Sequence, residues 1–218
     1  MSVNHLTQEN SSPSLISPYL PSEELNLKKP IKLGIMASGS GSNFAAIMKA
    51  IQRGKLNAQV PVLIYNQPSA KAALRAAHFD IPALLLDHQK YSSREALDQA
   101  IVETFQKYQV EWVVMAGWMR VVTEVLINAF PDKLINIHPS LLPSFRGLKA
   151  VEQAIEAKVK VTGCTVHLVR LEVDSGPILI QAAVPVLPND TSETLHARIQ
   201  VQEHRILPQG IILAVTSS

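Results

Sequence analysis

Cysteine is nearly missing from this chain: Cys164 stands alone in 218 residues. That excludes an intramolecular disulfide and every Cys-rich zinc pattern, and it fits a reducing compartment. An excess of either charge is missing too. The 20 Lys and Arg against 18 Asp and Glu leave a net charge of +2. With no basic cluster, nothing offers a nucleic-acid surface. No apolar run approaches the roughly 18 residues of a membrane span. Residues 1–30 contain no Arg but carry Glu9, Glu23 and Glu24, and they lack a basic start followed by a long apolar stretch. They therefore read as neither a secretory signal nor an organellar transit peptide. The absences together predict a soluble cytoplasmic protein with no nucleic-acid or membrane partner.

Apolar residues make up 47% of the chain, enough for a core, and the length suits one α/β domain. That domain is expected over 31–218. Residues 1–30, rich in Ser, Pro, Asn and Glu, read as a disordered extension, with docking onto the domain as the alternative. From Ile31 onward short apolar runs alternate with helical patterns. The runs are Ile31–Ala37, Gln59–Tyr65, Ala83–Leu86, Trp112–Ala116 and Leu134–Ile137. Between them, Leu97, Ile101, Phe105 and Tyr108 fall on one stripe of a helix over 93–108. This pattern predicts an α/β fold with a mostly parallel sheet and helices on both faces. A helix over 148–157 then leads to two β-rich runs, Val161–Val169 and Ile178–Val186, expected as antiparallel edge strands. A last helix is expected to open at Asp190 with Glu193 closing a capping box, and Pro208 should kink or interrupt it.

Three stretches carry chemistry. The first, "MASGSGSNFAAIMKAI", opens like a dinucleotide fingerprint, but Phe44 stands where a third glycine belongs. No acidic residue follows over 58–65 to hold a ribose, and the Walker pattern is absent. Gly39 and Gly41 permit close backbone approach, while Ser40, Ser42 and Asn43 add donors at a helix start. That favours a terminal phosphate over a plain capped turn. The second stretch, "LINIHPSLLPSFRG", places Asn136 and His138 on one face at the end of a strand. Imidazole moves protons near neutral pH, and an amide can donate to an oxyanion. The third, "LEVDSGPILIQ", reads by itself as a turn around Asp174. His78, His88, His167, His196 and His204 show no metal-ligand spacing and read as surface or core residues, so no metal is expected. Trp112 and Trp118 read as packing residues.

Together "GSGSN", "NIHPSLLPSFRG", "GCTVH", "DSGPILIQ" and "RIQVQEHRILP" closely resemble the folate-dependent phosphoribosylglycinamide formyltransferases, in order and separation, from about Ile31 to about Pro208. The resemblance implies a Rossmann-like formyltransferase fold, with 10-formyltetrahydrofolate as co-substrate and no metal. It implies Asn136, His138 and Asp174 as the catalytic trio, and a cis bond at Leu142–Pro143. It implies that Gly41, Ser42 and Asn43 hold the phosphate of glycinamide ribonucleotide, with Gln200, Val201, Gln202 and Glu203 completing that site. The folate would meet Arg94, Met119, Arg120, Val121, Val122 and Asn136, and the stretch Arg170, Leu171, Glu172, Val173 and Asp174. The implied partners are small-molecule substrates, in a monomer or weak homodimer. Three departures stand out: Ser40 where some relatives have Asn, Lys149-Ala150-Val151 where some are His-rich, and an end at Ser218 where many continue. Formyltetrahydrofolate deformylase is the nearest rival, although thirty residues leave no room for its regulatory domain. Methionyl-tRNA formyltransferase would need a tRNA-binding domain that is missing here. A non-catalytic phosphosugar- or folate-binding module is the alternative of a different class.

Overall fold

The computed structural model describes residues 15–18 and 27–217. Among these residues eight strands form one sheet: β1 (Leu15–Ser17), β2 (Ile31–Ala37), β3 (Ala58–Tyr65), β4 (Ala83–Leu85), β5 (Trp112–Met115), β6 (Leu134–His138), β7 (Val161–Leu168) and β8 (Ile178–Pro185). Their spatial order is β1-β8-β7-β6-β5-β2-β3-β4. The β2–β6 strands run parallel, and β7 and β8 continue the sheet antiparallel. The helices are α1 (Ser42–Gln52), α2 (Ala72–His78), α3 (Arg94–Lys107), α4 (Glu124–Ala129), α5 (Ala150–Glu156) and α6 (Ser192–Thr216).

The sheet is buried on both faces because its central strands carry unbroken apolar runs. One face packs Leu33, Ile35 and Val114 with Phe44, Ile47, Leu195, Ile199 and Ile206 of α1 and α6. The other packs Ile64, Val113 and Met115 with the α3 stripe Leu97, Ile101 and Phe105. Each of those stripe residues contributes about 1.5–3 kcal/mol by burial. Trp112 and Trp118 are buried, as their flanking positions predicted. Cys164 is fully buried, and burial pushes its thiol far above the ordinary value, so it acts as a small apolar core residue.

Four local expectations are revised. Residues Leu15–Ser17 are not structureless: they pair with Gln181–Ala183 and lie outside β8, so β1 and not β8 forms that edge. Leu27 also reaches the core; residues 1–14 and 19–26 lie outside the described residues. The helix after the second motif begins at Ala150 rather than at residue 148, with Lys149 left-handed ahead of it. The last helix is capped by Thr191, whose Oγ1 accepts from Thr194, in a reciprocal box that does not use Asp190 or Glu193. Asp190 is drawn off by Arg198, to which both carboxylate oxygens are bonded, and by the amide of Leu187. Pro208 neither ends nor divides α6. It forfeits one intrahelical bond, but Ile206, Leu207, Ile211 and Ile212 are buried around it, and that packing holds the helix.

The Arg198 guanidinium is the main cause that lowers the Asp190 carboxyl to about 2. A depressed carboxylate stabilises the fold above its ordinary value and loses that contribution as pH falls through the folded one. Asp190→Asn is therefore expected to lower the melting temperature near neutral pH, by a few degrees. The gap from the parent should close as pH falls from 3.8 toward about 2. Melting curves across that range check it, and a gap independent of pH would refute it.

Candidate active site

The parallel strands β2, β5 and β6 deliver their following loops to one edge of the sheet, where α/β folds place ligands. Asn136 and His138 sit two residues apart on β6 and share a face, as alternation requires. Asp174 reaches them from the β7–β8 connection, held at φ 51°. Its loop is tight: a Cβ on Gly176 would collide with the Leu168 carbonyl, so only glycine lets the chain pass there. His138 Nδ1 lies 3.3 Å from Asp174 Oδ2. His138 Nε2 donates to the Phe145 carbonyl at 2.8 Å. Both ring nitrogens thus face oxygens that only accept, which suits the doubly protonated ring.

The Asp174 carboxyl is held below its ordinary value. Burial is the largest single influence and would raise it. The hydrogen bond from His167, the Gly147 amide and the charge of His138 together outweigh burial. The Gly147 amide donates to Oδ2 at 2.9 Å. Asn136 Nδ2 lies 3.3 Å from Asp174 Oδ1 and 3.1 Å from His167 Nε2. The Asp174 carboxylate is thus an acceptor already in reach of this amide, and donation to an outside oxygen requires it to release that longer contact.

His167 is the residue that sequence reasoning passed over. It is 2% exposed, and its Nδ1 lies 2.9 Å from the Leu168 carbonyl. The missing signal was strand register: β7 pairs antiparallel with β6, so His167 stands opposite Asn136 and Thr165 opposite His138. Thr165 was passed over for the same reason, and Gln181 stands opposite Thr165 in turn. Thr165 Oγ1 donates to Ser140 O at 2.7 Å and accepts from Leu142 N at 3.1 Å. Gln181 Nε2 donates to Leu142 O at 3.0 Å. This ladder holds the Pro-rich turn, in which Leu142–Pro143 is cis as expected.

Beside the trio, the start of α1 has neither a side-chain cap nor an acidic residue in its first turn. Its free N–H groups and partial positive charge are of the kind that suits an anion. Gly41 precedes it at φ 71°, and a Cβ there would stand 2.8 Å from Ala72 Cα. Two side chains of α6 lock onto this start. Gln200 Nε2 donates to Ser42 Oγ at 3.0 Å, and Asn43 Nδ2 donates to Glu203 Oε2 at 2.9 Å. Glu203 is 4% exposed, and burial raises its carboxyl above the ordinary value. Gln200 and Glu203, one helical turn apart, are the pair brought to the site. Val201 between them is half exposed, and Gln202 is fully buried.

On the other side a cleft of about 450 Å³ is lined by Arg94, Val121, Val122, Thr123 and Leu171, among others. Val121 and Leu171 present exposed apolar surface to it, and Met119 and Val173, near them in sequence, are exposed as well. Met119 N donates to Ser38 Oγ at 2.8 Å, which ties this loop to the end of β2. Asp98, buried on α3, accepts from Thr123 N at 2.6 Å and anchors the other end of the loop. Arg120 Nε is buried with no hydrogen-bond partner among the described residues. Arg170 and Glu172 are turned aside: Arg170 bonds Asp132, and Glu172 bonds Arg146. The arrangement joins an anion seat, a buried imidazole–carboxylate pair and an apolar cleft along one edge.

The formyl transferase family matches residues 31–211. The phosphoribosylglycinamide formyltransferase of Bacillus subtilis (strain 168) is 42% identical over 180 residues, which cover 83% of this chain and 92% of that protein. The crystal structure of glycinamide ribonucleotide transformylase 1 from Symbiobacterium toebii superposes with a TM-score of 0.83 at 46% identity, covering 85% of this chain and 87% of that one. That of phosphoribosylglycinamide formyltransferase from Bacillus halodurans gives 0.81 at 44%, covering 86% and 95%.

Proposed function

This chain belongs to the formyl transferase family, and we propose that it is a phosphoribosylglycinamide formyltransferase of purine biosynthesis. It moves the formyl group of 10-formyltetrahydrofolate to the glycinamide amine of 5'-phosphoribosylglycinamide, giving the formylated ribonucleotide and tetrahydrofolate. The observation that carries the reading is the buried His138–Asp174 pair, 3.3 Å apart and flanked by the uncapped start of α1.

The donor fits the open side of the site. Exposed Met119, Val121, Leu171 and Val173 suit a flat ring system, and the cationic Arg94 in the same cleft suits a carboxylate-bearing tail. The phosphate fits the seat built by Gly41, Ser42 and Asn43, and Glu203 with Gln200 faces the rest of the ribonucleotide. In the reaction the amine nitrogen attacks the formyl carbon, and the carbonyl electrons collect on oxygen. Asn136 Nδ2 releases its long contact to Asp174 and donates to that oxyanion, beside the cationic ring of His138. The bond from carbon to the folate nitrogen then breaks. The proton lost by the attacking nitrogen passes to the leaving nitrogen through His138 or water. Asp174 orients the imidazole through its contact with Nδ1. No covalent intermediate on the protein is required, and juxtaposition of the two substrates supplies a large share of the rate. The substrates are small molecules, and we assign the protein to the cytoplasm as a monomer or weak homodimer.

Spectrophotometry of 10-formyl-5,8-dideazafolate tests the reading, with and without the ribonucleotide. Loss of formyl that depends on the ribonucleotide is the expected result. Equal loss without it would make the protein a hydrolase that uses water as the acceptor. Bound folate without turnover would leave a binding module.

A further inference from the structure

The anion seat at α1 is shaped from outside by a neighbouring element, α2. The Gly39 carbonyl accepts from Ala72 N at 3.1 Å. The Ser40 carbonyl accepts from Arg75 Nε at 2.7 Å. Because a trans peptide sets its N–H opposite its C=O, turning the Ser40 carbonyl onto Arg75 turns the Gly41 N–H away from α2. Gly41 itself leans on Ala72 so closely that no side chain fits between them. The loop therefore has little freedom except what its bond to Arg75 allows.

Arg75 also brings charge. Among the described residues, no carboxylate forms an ion pair with Arg75 or with Lys49 of α1. Both line a cleft of about 820 Å³ that opens beside Ser42 and Gln200 and also holds His204. Among the described residues, His204 Nε2 is buried there without a hydrogen-bond partner. Burial, followed by the charges of Lys49 and Arg75, holds its imidazole below the ordinary value.

We propose that Arg75 is a positioning and specificity residue for the phosphate of the substrate: its Nε–H fixes the Ser40 carbonyl so that the loop amides stay set for the phosphate, and its cationic guanidinium favours a dianion at the neighbouring seat. The proposal rests on the reading of Gly41–Asn43 as the phosphate site. It assigns Arg75 no contact with the reacting atoms. Loss of Arg75 should therefore weaken binding of the phosphorylated substrate and leave the chemical step alone.

Steady-state kinetics of Arg75→Ala and Arg75→Lys test this, using 5'-phosphoribosylglycinamide and the same molecule without its phosphate. Arg75→Ala is expected to raise KM for the phosphorylated substrate about 10- to 100-fold, the range for a charge-assisted hydrogen bond. It should leave kcat and the folate KM within about twofold, and kcat/KM for the dephosphorylated substrate close to the parent value. Arg75→Lys, which keeps the charge without the planar fork, should fall between. Arg75→Gln replaces Arg75→Ala if the latter does not fold. Equal losses on both substrates, or an unchanged KM, would overturn the proposal. A parent enzyme with no ribonucleotide-dependent turnover would instead overturn the functional reading, and calorimetric titration of ribose 5-phosphate into parent and variants keeps the two failures distinct. A fall in affinity of the same size in the variants is expected there, and equal affinity would overturn the role of Arg75 by itself.

Discussion

Replacing His138 with alanine is expected to lower kcat for formyl transfer about 10²- to 10⁴-fold, the usual contribution of a positioned acid–base group. The fold should survive the change. His138 sits at the end of β6, 5% exposed, and the contacts that shape its surroundings do not depend on its ring. Gly147 still donates to Asp174 Oδ2, and Thr165 still holds the turn through Ser140 and Leu142. Binding should survive as well, because the anion seat is made by α1 and the apolar cleft by residues near 119–125 and 171. Loss in kcat with little change in either KM is therefore the signature, measured by the ribonucleotide-dependent release of formyl from the folate donor. If the His138→Ala variant turned over like the parent, the assignment of proton transfer to this imidazole would be wrong.

The features visible before the structure were those that depend on a single element. Alternation placed Asn136 and His138 on one face, and the four- and three-residue spacing found the buried stripe of α3, because both periodicities are local. The Asp174 contact was not visible in that way. It depends on how far the β7–β8 hairpin reaches back over β6, and only resemblance to a family supplied it. His167 was discarded for the same physical reason: judged against its own neighbours it has no partner, whereas its partners lie 31 and 7 residues away, at Asn136 and Asp174. The start of α6 failed for a different cause. Asp190 and Thr191 are both good caps, and the choice between them was made by Arg198, eight residues beyond Asp190 and already inside the helix. The edge strand Leu15–Ser17 lay in a segment whose composition suggested no structure, yet three residues suffice to pair with β8 when an open edge is offered.

Asp174→Asn is the companion experiment, and it separates shape from charge. The carboxylate serves four donors: the Gly147 amide and His138 Nδ1 at Oδ2, and Asn136 Nδ2 and His167 Nε2 at Oδ1. Asparagine fits the same space but has one oxygen, and its NH₂ group would face a donor. At least one donor is then left without an acceptor, and the imidazolium loses its counter-charge. A fall in kcat of about 10²- to 10⁴-fold is expected, similar to that of His138→Ala. The pH profile adds a signed test. Burial pushes the Asp174 carboxyl up, but the donors and the charge of His138 overcome it, so the group lies below its ordinary value of 3.8. Its contribution is complete above that value and is lost only as pH falls through the depressed one. Any acid limb in the parent that starts well above 3.8 must belong to another group, and that limb should persist in Asp174→Asn. The double variant decides whether the two residues act as one. Because the carboxylate works only through the ring it orients, His138→Ala with Asp174→Asn should be no slower than the slower single variant, within a few-fold. Losses that multiplied would mean that Asp174 acts on the substrates by a route that does not pass through His138. The path from its Oδ1 to Asn136 would then carry it.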